Sequence, residues 1–183
     1  MAHGLGTLID AACTLQVKRP NVAFLLVGEG AEKESIKRLA ESRGLKNVHF
    51  VDQQSRERIP AFINASDVCL VLLKKTELFK TVIPTKMLEF MSCARPVILG
   101  VDGQAREILE AAQAGLVIEP ENADELAIGI LQLADDAGAR SNFGENARKY
   151  ILQKYSRERT AASYIAELET LLRTTSGPAK IEG

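Results

Sequence analysis

The sequence predicts an α/β domain with a doubly wound parallel sheet. Two runs, V-A-F-L-L-V at 22–27 and V-C-L-V-L-L at 68–73, are apolar at every position. Unbroken apolar runs of this length suit strands that are covered on both faces, as in a parallel sheet. Amphipathic helical patterns separate the runs, and alternation of strand and helix is typical of this fold class. From Asn122 onward the pattern is helical only.

Capping and breaking residues set the bounds of the elements. Thr7 suits the start of the first helix, and Lys18-Arg19-Pro20 closes it. Pro84 suits the first position of the fourth helix, because its φ is already helical and it lacks an N–H that would be unpaired there. We expect one domain over 1–173 and a flexible tail over 174–183. The predicted helices cover 7–17, 31–42, 56–65, 84–94, 105–112, 123–134, 139–153 and 157–172, and the predicted strands cover 22–27, 48–51, 68–73, 97–99 and 116–119.

The composition is that of an ordinary globular protein. Of the 183 residues, 46% are hydrophobic and 26% are charged, and the net charge is −1. This balance argues against nucleic acid as a partner, because nucleic-acid-binding proteins usually carry a strongly basic face. No stretch resembles a signal peptide or is apolar over the length of a membrane span, so we expect a cytoplasmic location. Three cysteines and two histidines are too few and too scattered for a disulfide framework or a metal site.

The stretch F-K-T-V-I-P-T-K-M-L-E-F-M-S-C-A-R-P-V-I-L at 79–99 is the candidate functional segment. Lys86 lies in the first turn of the predicted helix, where the helix dipole disfavours a cation. A bound anion would explain it, since unpaired N–H groups at Thr85, Lys86 and Met87 would form a diphosphate site with the ammonium. Glu89 follows three residues later on the same helix face. The alternative, that Lys86 and Glu89 are ordinary solvated side chains, stays open on residue chemistry alone.

A second candidate phosphate site follows the first long apolar run. Gly28 and Gly30, with Asp52 at the end of the next strand, could form the dinucleotide fingerprint of an NAD-type domain. The third glycine of that fingerprint is absent, and three glutamates within 29–34 would place negative charge beside a pyrophosphate. Electrostatics therefore favours the helix that carries Lys86. A non-catalytic α/β domain is the remaining alternative.

The segment P-T-K-M-L-E-F-M-S-C-A-R-P-V-I at 84–98 resembles the P-S/T-K-x-x-E-Y/F-M-A-x-G-x-P-V-I signature of retaining GT-B glycosyltransferases. Within that family it is similar to the branch that builds bacterial surface polysaccharides and includes the N-acetylfucosaminyl transferases. The resemblance extends to A-H-G-L at 2–5, V-G-E-G at 27–30, D-G-x-x-x-E-I-L at 102–109 and A-G-L-V-I-E-P at 114–120. It implies a Rossmann-like domain that forms the C-terminal half of a GT-B fold.

The resemblance also implies a role for each residue of the candidate site. Glu89 would hydrogen-bond the ribose of a nucleotide-sugar, and the amides around Thr85 and Lys86 would bind its diphosphate. Many relatives carry a second glutamate eight positions earlier, where this chain has Thr81, which suggests a different donor such as an acetamido or deoxy sugar. The candidate catalytic residues are Lys86 and Glu89, and the candidate donor-binding residues are Gly28, Gly30, Val51, Gln53, Lys74, Thr81, Pro84 and Thr85.

The implied reaction moves a sugar from a nucleoside diphosphate, expected to be UDP, to an acceptor hydroxyl with retention of configuration. Such enzymes make bacterial polysaccharide and lipopolysaccharide. Fixed dipoles and cations can stabilise the departing diphosphate, so neither a metal nor another cofactor is expected. A lipid-carried acceptor would place the intact enzyme at the inner membrane face.

The resemblance also predicts missing parts. In the family a first strand and an N-terminal acceptor domain precede the segment that matches residues 2–5, so we expect this chain to be a donor-binding half with little or no activity of its own. We expect the last helix to leave an apolar surface near Tyr164 and Leu168, which self-association of the chain could hide.

Overall fold

The computed structural model describes residues 3–175. Helices and strands follow one another in the predicted order, with a short 3₁₀ helix added at Glu77–Thr81. The last helix includes residues 174 and 175, and the rest of the predicted tail lies outside the described residues. Within this range the strands are β1 (Phe24–Val27), β2 (Val48–Val51), β3 (Cys69–Leu72), β4 (Val97–Gly100) and β5 (Gly115–Val117), and the α-helices are α1 (Leu5–Lys18), α2 (Lys33–Ser42), α3 (Ile59–Ala65), α4 (Thr85–Ser92), α5 (Gln104–Ala112), α6 (Ala123–Asp135), α7 (Ala137–Lys154) and α8 (Arg157–Thr175).

The strands form two parallel sheets, whereas the alternation of strands and helices in the sequence predicts a single sheet. β1 pairs with β2, with Phe24 opposite Val48. β3, β4 and β5 form the second sheet with β4 at its centre, and Cys69 lies opposite Val97. The parallel arrangement is therefore confirmed, whereas the continuity of the sheet is not.

β1 has an edge that no strand of residues 3–175 covers. The N–H of Gly28, just after β1, donates to the Val51 carbonyl oxygen at 3.0 Å. Successive peptide groups of a strand point to opposite edges. Those of Leu25 and Val27 therefore point away from β2.

β3 has a matching open edge. The N–H of Cys69 donates to the Pro96 carbonyl oxygen at 2.9 Å, toward β4. By the same alternation the peptide groups of Leu70 and Leu72 point away from β4. At that edge the Leu72 carbonyl oxygen accepts a hydrogen bond from the Gly4 N–H at 3.3 Å.

Both sheets pack against the same hydrophobic layer. Helices α1, α2 and α6 contribute apolar side chains that pack with Phe24 of β1, Leu72 of β3 and Ile98 of β4. On the other face of β4, Val97 and Leu99 pack with side chains from α4, α5 and α7. β4 is thus buried on both faces, and each of its large side chains contributes about 1.5–3 kcal/mol by leaving water.

Helix α7 packs closely against the end of α4. A Cβ atom at Gly144 would lie 2.2 Å from the carbonyl oxygen of Ala94, which itself has a φ of 55°. Only a glycine allows this approach, because both facing groups are backbone. The contact fixes the C-terminal end of α4 against the core.

Helix α8 carries the apolar surface that the sequence predicts. Tyr164 is 66% exposed and Leu168 is 43% exposed. Self-association through this surface stays a prediction. None of the helices within residues 3–175 combines the length and the apolar content that crossing a bilayer requires.

Candidate functional site

Helix α4 begins one residue later than the sequence predicts. Pro84 is the N-cap residue, with φ −65° and ψ 118°, and Thr85 is the first helical residue. The proline ring restricts φ but leaves ψ free, so the same residue fits either position. Pro84 is buried, whereas Thr85 is exposed.

The start of α4 leaves two backbone N–H groups available. The N–H of Met87 donates to the Pro84 carbonyl oxygen at 2.9 Å, so the prediction that this group is unpaired is wrong. The amides of Thr85 and Lys86 have no acceptor among the described residues. These two groups point along the positive end of the helix dipole, where an anion is stabilised.

The side chains of Lys86 and Glu89 have no salt-bridge or hydrogen-bond partner within residues 3–175. Lys86 is half-buried, and this burial lowers the pKa of its ammonium group. Glu89 is exposed; its main-chain oxygen accepts hydrogen bonds from the Ser92 hydroxyl at 2.7 Å and from the Cys93 N–H at 3.1 Å, whereas its carboxylate has no partner among the described residues. A half-buried cation without a counter-ion is costly in the empty protein, and a bound anion would remove that cost.

The turn after β1 lies against the end of β2. Gly28, with a φ of 134°, donates its N–H to Val51 as described above. Lys33 then bridges two carboxylates, Glu29 at 2.5 Å and Asp52 at 2.7 Å. The Lys33 ammonium lowers the pKa of Asp52. Asp52 is therefore engaged within the protein, which counts against its predicted alternative role as a ribose ligand of an NAD-type site.

Three further candidate residues lie in turns that follow strands. Gly30, Gln53 and Lys74 are exposed, after β1, β2 and β3 respectively. The side chains of Gln53 and Lys74 make no hydrogen bond or ion pair within the described range, and a Cβ at Gly30 would meet nothing within 4 Å. All three positions remain available to a ligand.

His3 is a member of the site that sequence reasoning missed. It forms an antiparallel bridge with Leu73, at the carboxyl end of β3. Partial burial and then the positive charge of Lys86 lower the pKa of His3, while Glu32 raises it. The charges of Lys86, at the start of α4, and of Glu32, just before α2, therefore both act on His3. The segment A-H-G-L at 2–5 belongs to the family resemblance, but no local pattern indicates the contact itself, because it joins residues 70 apart in sequence.

The connection between β3 and α4, residues 73–84, carries Thr81 at the end of its 3₁₀ helix. The Thr81 hydroxyl donates to the Leu78 carbonyl oxygen at 3.0 Å. Glu77, at the start of the same 3₁₀ helix, forms an ion pair with Lys80 at 2.7 Å. Gly103, with a φ of 76°, backs this connection, because a Cβ there would lie 2.0 Å from the Lys80 carbonyl oxygen. The Asp-Gly pair at 102–103 predicts a turn, but the sequence does not predict the contact between Gly103 and Lys80.

The described residues contain no group of three histidine, cysteine, aspartate or glutamate side chains that could hold a metal ion. The start of α4 and its surroundings instead present the free amides of Thr85 and Lys86 and two cationic or titratable side chains, Lys86 and His3. This arrangement suits an anionic ligand such as a phosphate ester.

Known proteins share this fold. Over 85% of its length the chain superimposes on the C-terminal domain of a glycosyl transferase group 1 family protein, LpcC from Francisella tularensis, with a TM-score of 0.70, 22% identity and 80% of that domain covered. It also superimposes on the Anabaena protein HepE, solved with UDP and glucose, with a TM-score of 0.73 and 26% identity, over 90% of this chain and 44% of HepE. The fold is therefore the Rossmann-like C-terminal half of a GT-B glycosyltransferase.

Sequence comparison leads to the same family. The poly(ribitol-phosphate) alpha-N-acetylglucosaminyltransferase of Staphylococcus aureus is 30% identical over 161 residues, which are 82% of this chain and 30% of that enzyme. The chain thus spans about a third of the length of this curated relative. The family model described as Glycosyl transferases group 1 matches residues 2–150. The fold and this match lead to the same assignment, and the chain belongs to the Glycosyl transferases group 1 family.

Proposed function

We propose that this domain binds the UDP-sugar donor of a retaining glycosyltransferase. The observation that carries the proposal is the start of α4, where the free amides of Thr85 and Lys86 lie beside an ammonium group without a counter-ion. Membership in a glycosyltransferase family supports this function over the NAD-type and non-catalytic alternatives.

The diphosphate is proposed to bind at the start of α4. Its oxygens would accept hydrogen bonds from the Thr85 and Lys86 amides, and the Lys86 ammonium would neutralise one negative charge. The same contacts strengthen as charge develops on the diphosphate when the sugar leaves. Lys86 is therefore proposed as a catalytic residue as well as a binding one.

The nucleoside is proposed to lie next to the diphosphate, between the start of α4 and the turn after β2. Glu89, one helical turn beyond Lys86, would accept hydrogen bonds from the ribose hydroxyls with its unpaired carboxylate. The base would meet the turn after β2, near Val51 and Gln53, where Gly28 lets the backbone approach closely. The choice of uracil is supported by HepE, which was solved with UDP.

The sugar is proposed to be an acetamido or deoxy sugar. Thr81 offers a short hydroxyl where many relatives offer a carboxylate, so it cannot make the same contact with a sugar hydroxyl. The Staphylococcus aureus relative, named as an N-acetylglucosaminyltransferase, supports an acetamido donor.

The whole protein is proposed to transfer this sugar, with retention of configuration, to an acceptor in bacterial polysaccharide biosynthesis. The acceptor would be held by a further domain, as the family resemblance implies, and the reaction would need neither a metal nor another cofactor. A cytoplasmic enzyme at the inner membrane face is the setting that fits a lipid-carried acceptor.

Calorimetric titration of the chain with UDP, UDP-N-acetylglucosamine and NAD tests the donor site. We expect saturable binding of the uridine nucleotides that weakens in Glu89→Gln and in Lys86→Met. The matched controls are Glu167→Gln on α8 and Lys149→Met on α7, which make the same substitutions outside the candidate site. Both controls should bind the uridine nucleotides as the unaltered protein does. Binding of NAD that depends on Asp52 would overturn the proposal. A Kd for UDP that is unchanged in both Glu89→Gln and Lys86→Met would also overturn it.

A further inference from the structure

The connection formed by residues 73–84 delivers the chain to the start of α4. Its geometry therefore decides where the Thr85 and Lys86 amides lie. Thr76 caps its 3₁₀ helix by accepting a hydrogen bond from the Phe79 N–H at 3.4 Å. Gly103 packs closely against the same connection at the Lys80 carbonyl oxygen.

The near end is held from the turn between β5 and α6. The Glu121 carboxylate accepts a hydrogen bond from the backbone N–H of Lys75 at 2.9 Å. The Lys75 ammonium also forms an ion pair with Glu119 of the same turn. Two separate groups of Lys75, its amide and its side chain, are thus held by two carboxylates.

The turn that carries these carboxylates is itself well fixed. Asn122 caps α6 by accepting a hydrogen bond from the Glu125 N–H at 3.0 Å. The Glu125 carboxylate accepts hydrogen bonds from the Asn122 side-chain Nδ2 at 2.8 Å and from the Glu119 backbone N–H at 2.7 Å. These bonds tie the turn to the first residues of α6.

Glu121 keeps an unfavourable backbone conformation in this turn. Its φ is 65°, in the left-handed region that favours glycine. A glycine would relieve the strain but could not reach Lys75. Residues held in such conformations persist where the surrounding structure determines them, and they cluster at functional sites.

We propose that Glu121 is a positioning residue for the nucleotide site, acting through the Lys75 amide on the connection that places the start of α4. The inference rests on the proposed function. Glu121 touches no nucleotide in this scheme. It restricts the connection to the geometry in which the Thr85 and Lys86 amides converge on one diphosphate.

The test compares three variants by thermal unfolding, by hydrogen exchange of the Lys75 amide and by UDP titration. Glu121→Gly removes both the strain and the carboxylate, whereas Glu121→Gln keeps an oxygen that can accept the hydrogen bond. Gln113→Gly is the matched control, because Gln113 also has a positive φ, of 47°, but lies at the end of α5 and makes no side-chain contact with the connection.

In Glu121→Gly we expect a thermal midpoint no lower than that of the unaltered protein, because relief of backbone strain offsets the lost hydrogen bond. The Lys75 amide should exchange about tenfold faster and the Kd for UDP should rise about tenfold, the equivalent of one hydrogen bond to a charged group. Glu121→Gln should restore both values. Gln113→Gly should raise the midpoint and change neither.

Two results would overturn the inference. One is a Lys75 amide that exchanges at the original rate in Glu121→Gly, and the other is faster exchange with an unchanged Kd for UDP. If the unaltered protein does not bind UDP, the proposed function fails and the role of Glu121 fails with it. If the unaltered protein binds UDP and Glu121→Gly binds it equally well, only the positioning role fails.

Discussion

Replacing Gly103 with alanine should destabilise the domain through a single backbone contact. Gly103 has φ 76° and ψ −139°, a conformation almost restricted to glycine. The new Cβ would lie 2.0 Å from the Lys80 carbonyl oxygen, and it must move to at least 3.0 Å to reach a distance that real Cβ atoms show. Backbone strain of about 1–3 kcal/mol and the displacement of the carbonyl group together give about 2–4 kcal/mol.

That loss is large beside the roughly 5–15 kcal/mol that stabilises a typical domain. Urea unfolding measures it as a shift of the midpoint at unchanged slope. Gly6→Ala is the matched control, because Gly6 lies in α1 without a positive φ and its Cβ would meet nothing within 4 Å. Alanine there should stabilise the protein by about 0.5–1 kcal/mol.

The two substitutions should therefore move the urea midpoint in opposite directions. If Gly103→Ala unfolds at the original midpoint, the close contact between Gly103 and Lys80 does not exist in solution. If both variants lose stability equally, the effect does not come from the left-handed conformation.

Two other predictions concern the site and the sheets. Lys86→Met should raise the free energy of unfolding at neutral pH, because burial lowers the pKa of Lys86 in the folded protein and so disfavours its charged form. This gain in stability should shrink as the pH rises through the folded pKa toward the unfolded pKa. An unchanged urea midpoint at neutral pH would contradict the prediction. The Leu70 amide, which points to the open edge of β3, should exchange with solvent faster than the Val71 amide, which points to β4, as hydrogen exchange followed by NMR would show; equal protection would mean that something covers the edge.

Local signals were enough to predict the helices and strands. The run at 68–73 becomes β3 at Cys69–Leu72, since a short run that is apolar at every position suits a strand covered on both faces. The first strand is shorter than the apolar run from Val22, since pairing with β2 starts only at Phe24. Strand ends depend on the partner strand, and a single run of residues does not contain that information.

The parts of the site that sequence reasoning missed depend on long-range contacts. Pro84 permits two helix starts, and its ψ is decided by tertiary packing. His3 reaches the site through Leu73, and Glu121 reaches Lys75 from a turn 46 residues later. The motif at 84–98 indicates α4 as the candidate helix because Pro84, Lys86 and Glu89 lie close together in sequence. It could not predict which elements hold that helix in place.

The open edges of β1 and β3 have a consequence for how the chain refolds. Within residues 3–175 the peptide groups of Leu25 and Val27 at one edge and of Leu70 at the other have no hydrogen-bond partner, and neither β1 nor β3 contains a charged residue that would discourage pairing with another chain. An extended apolar segment of a neighbouring, still unfolded molecule can add to such an edge as readily as a native strand can. The yield of native protein after dilution from denaturant should therefore fall steeply as the protein concentration rises.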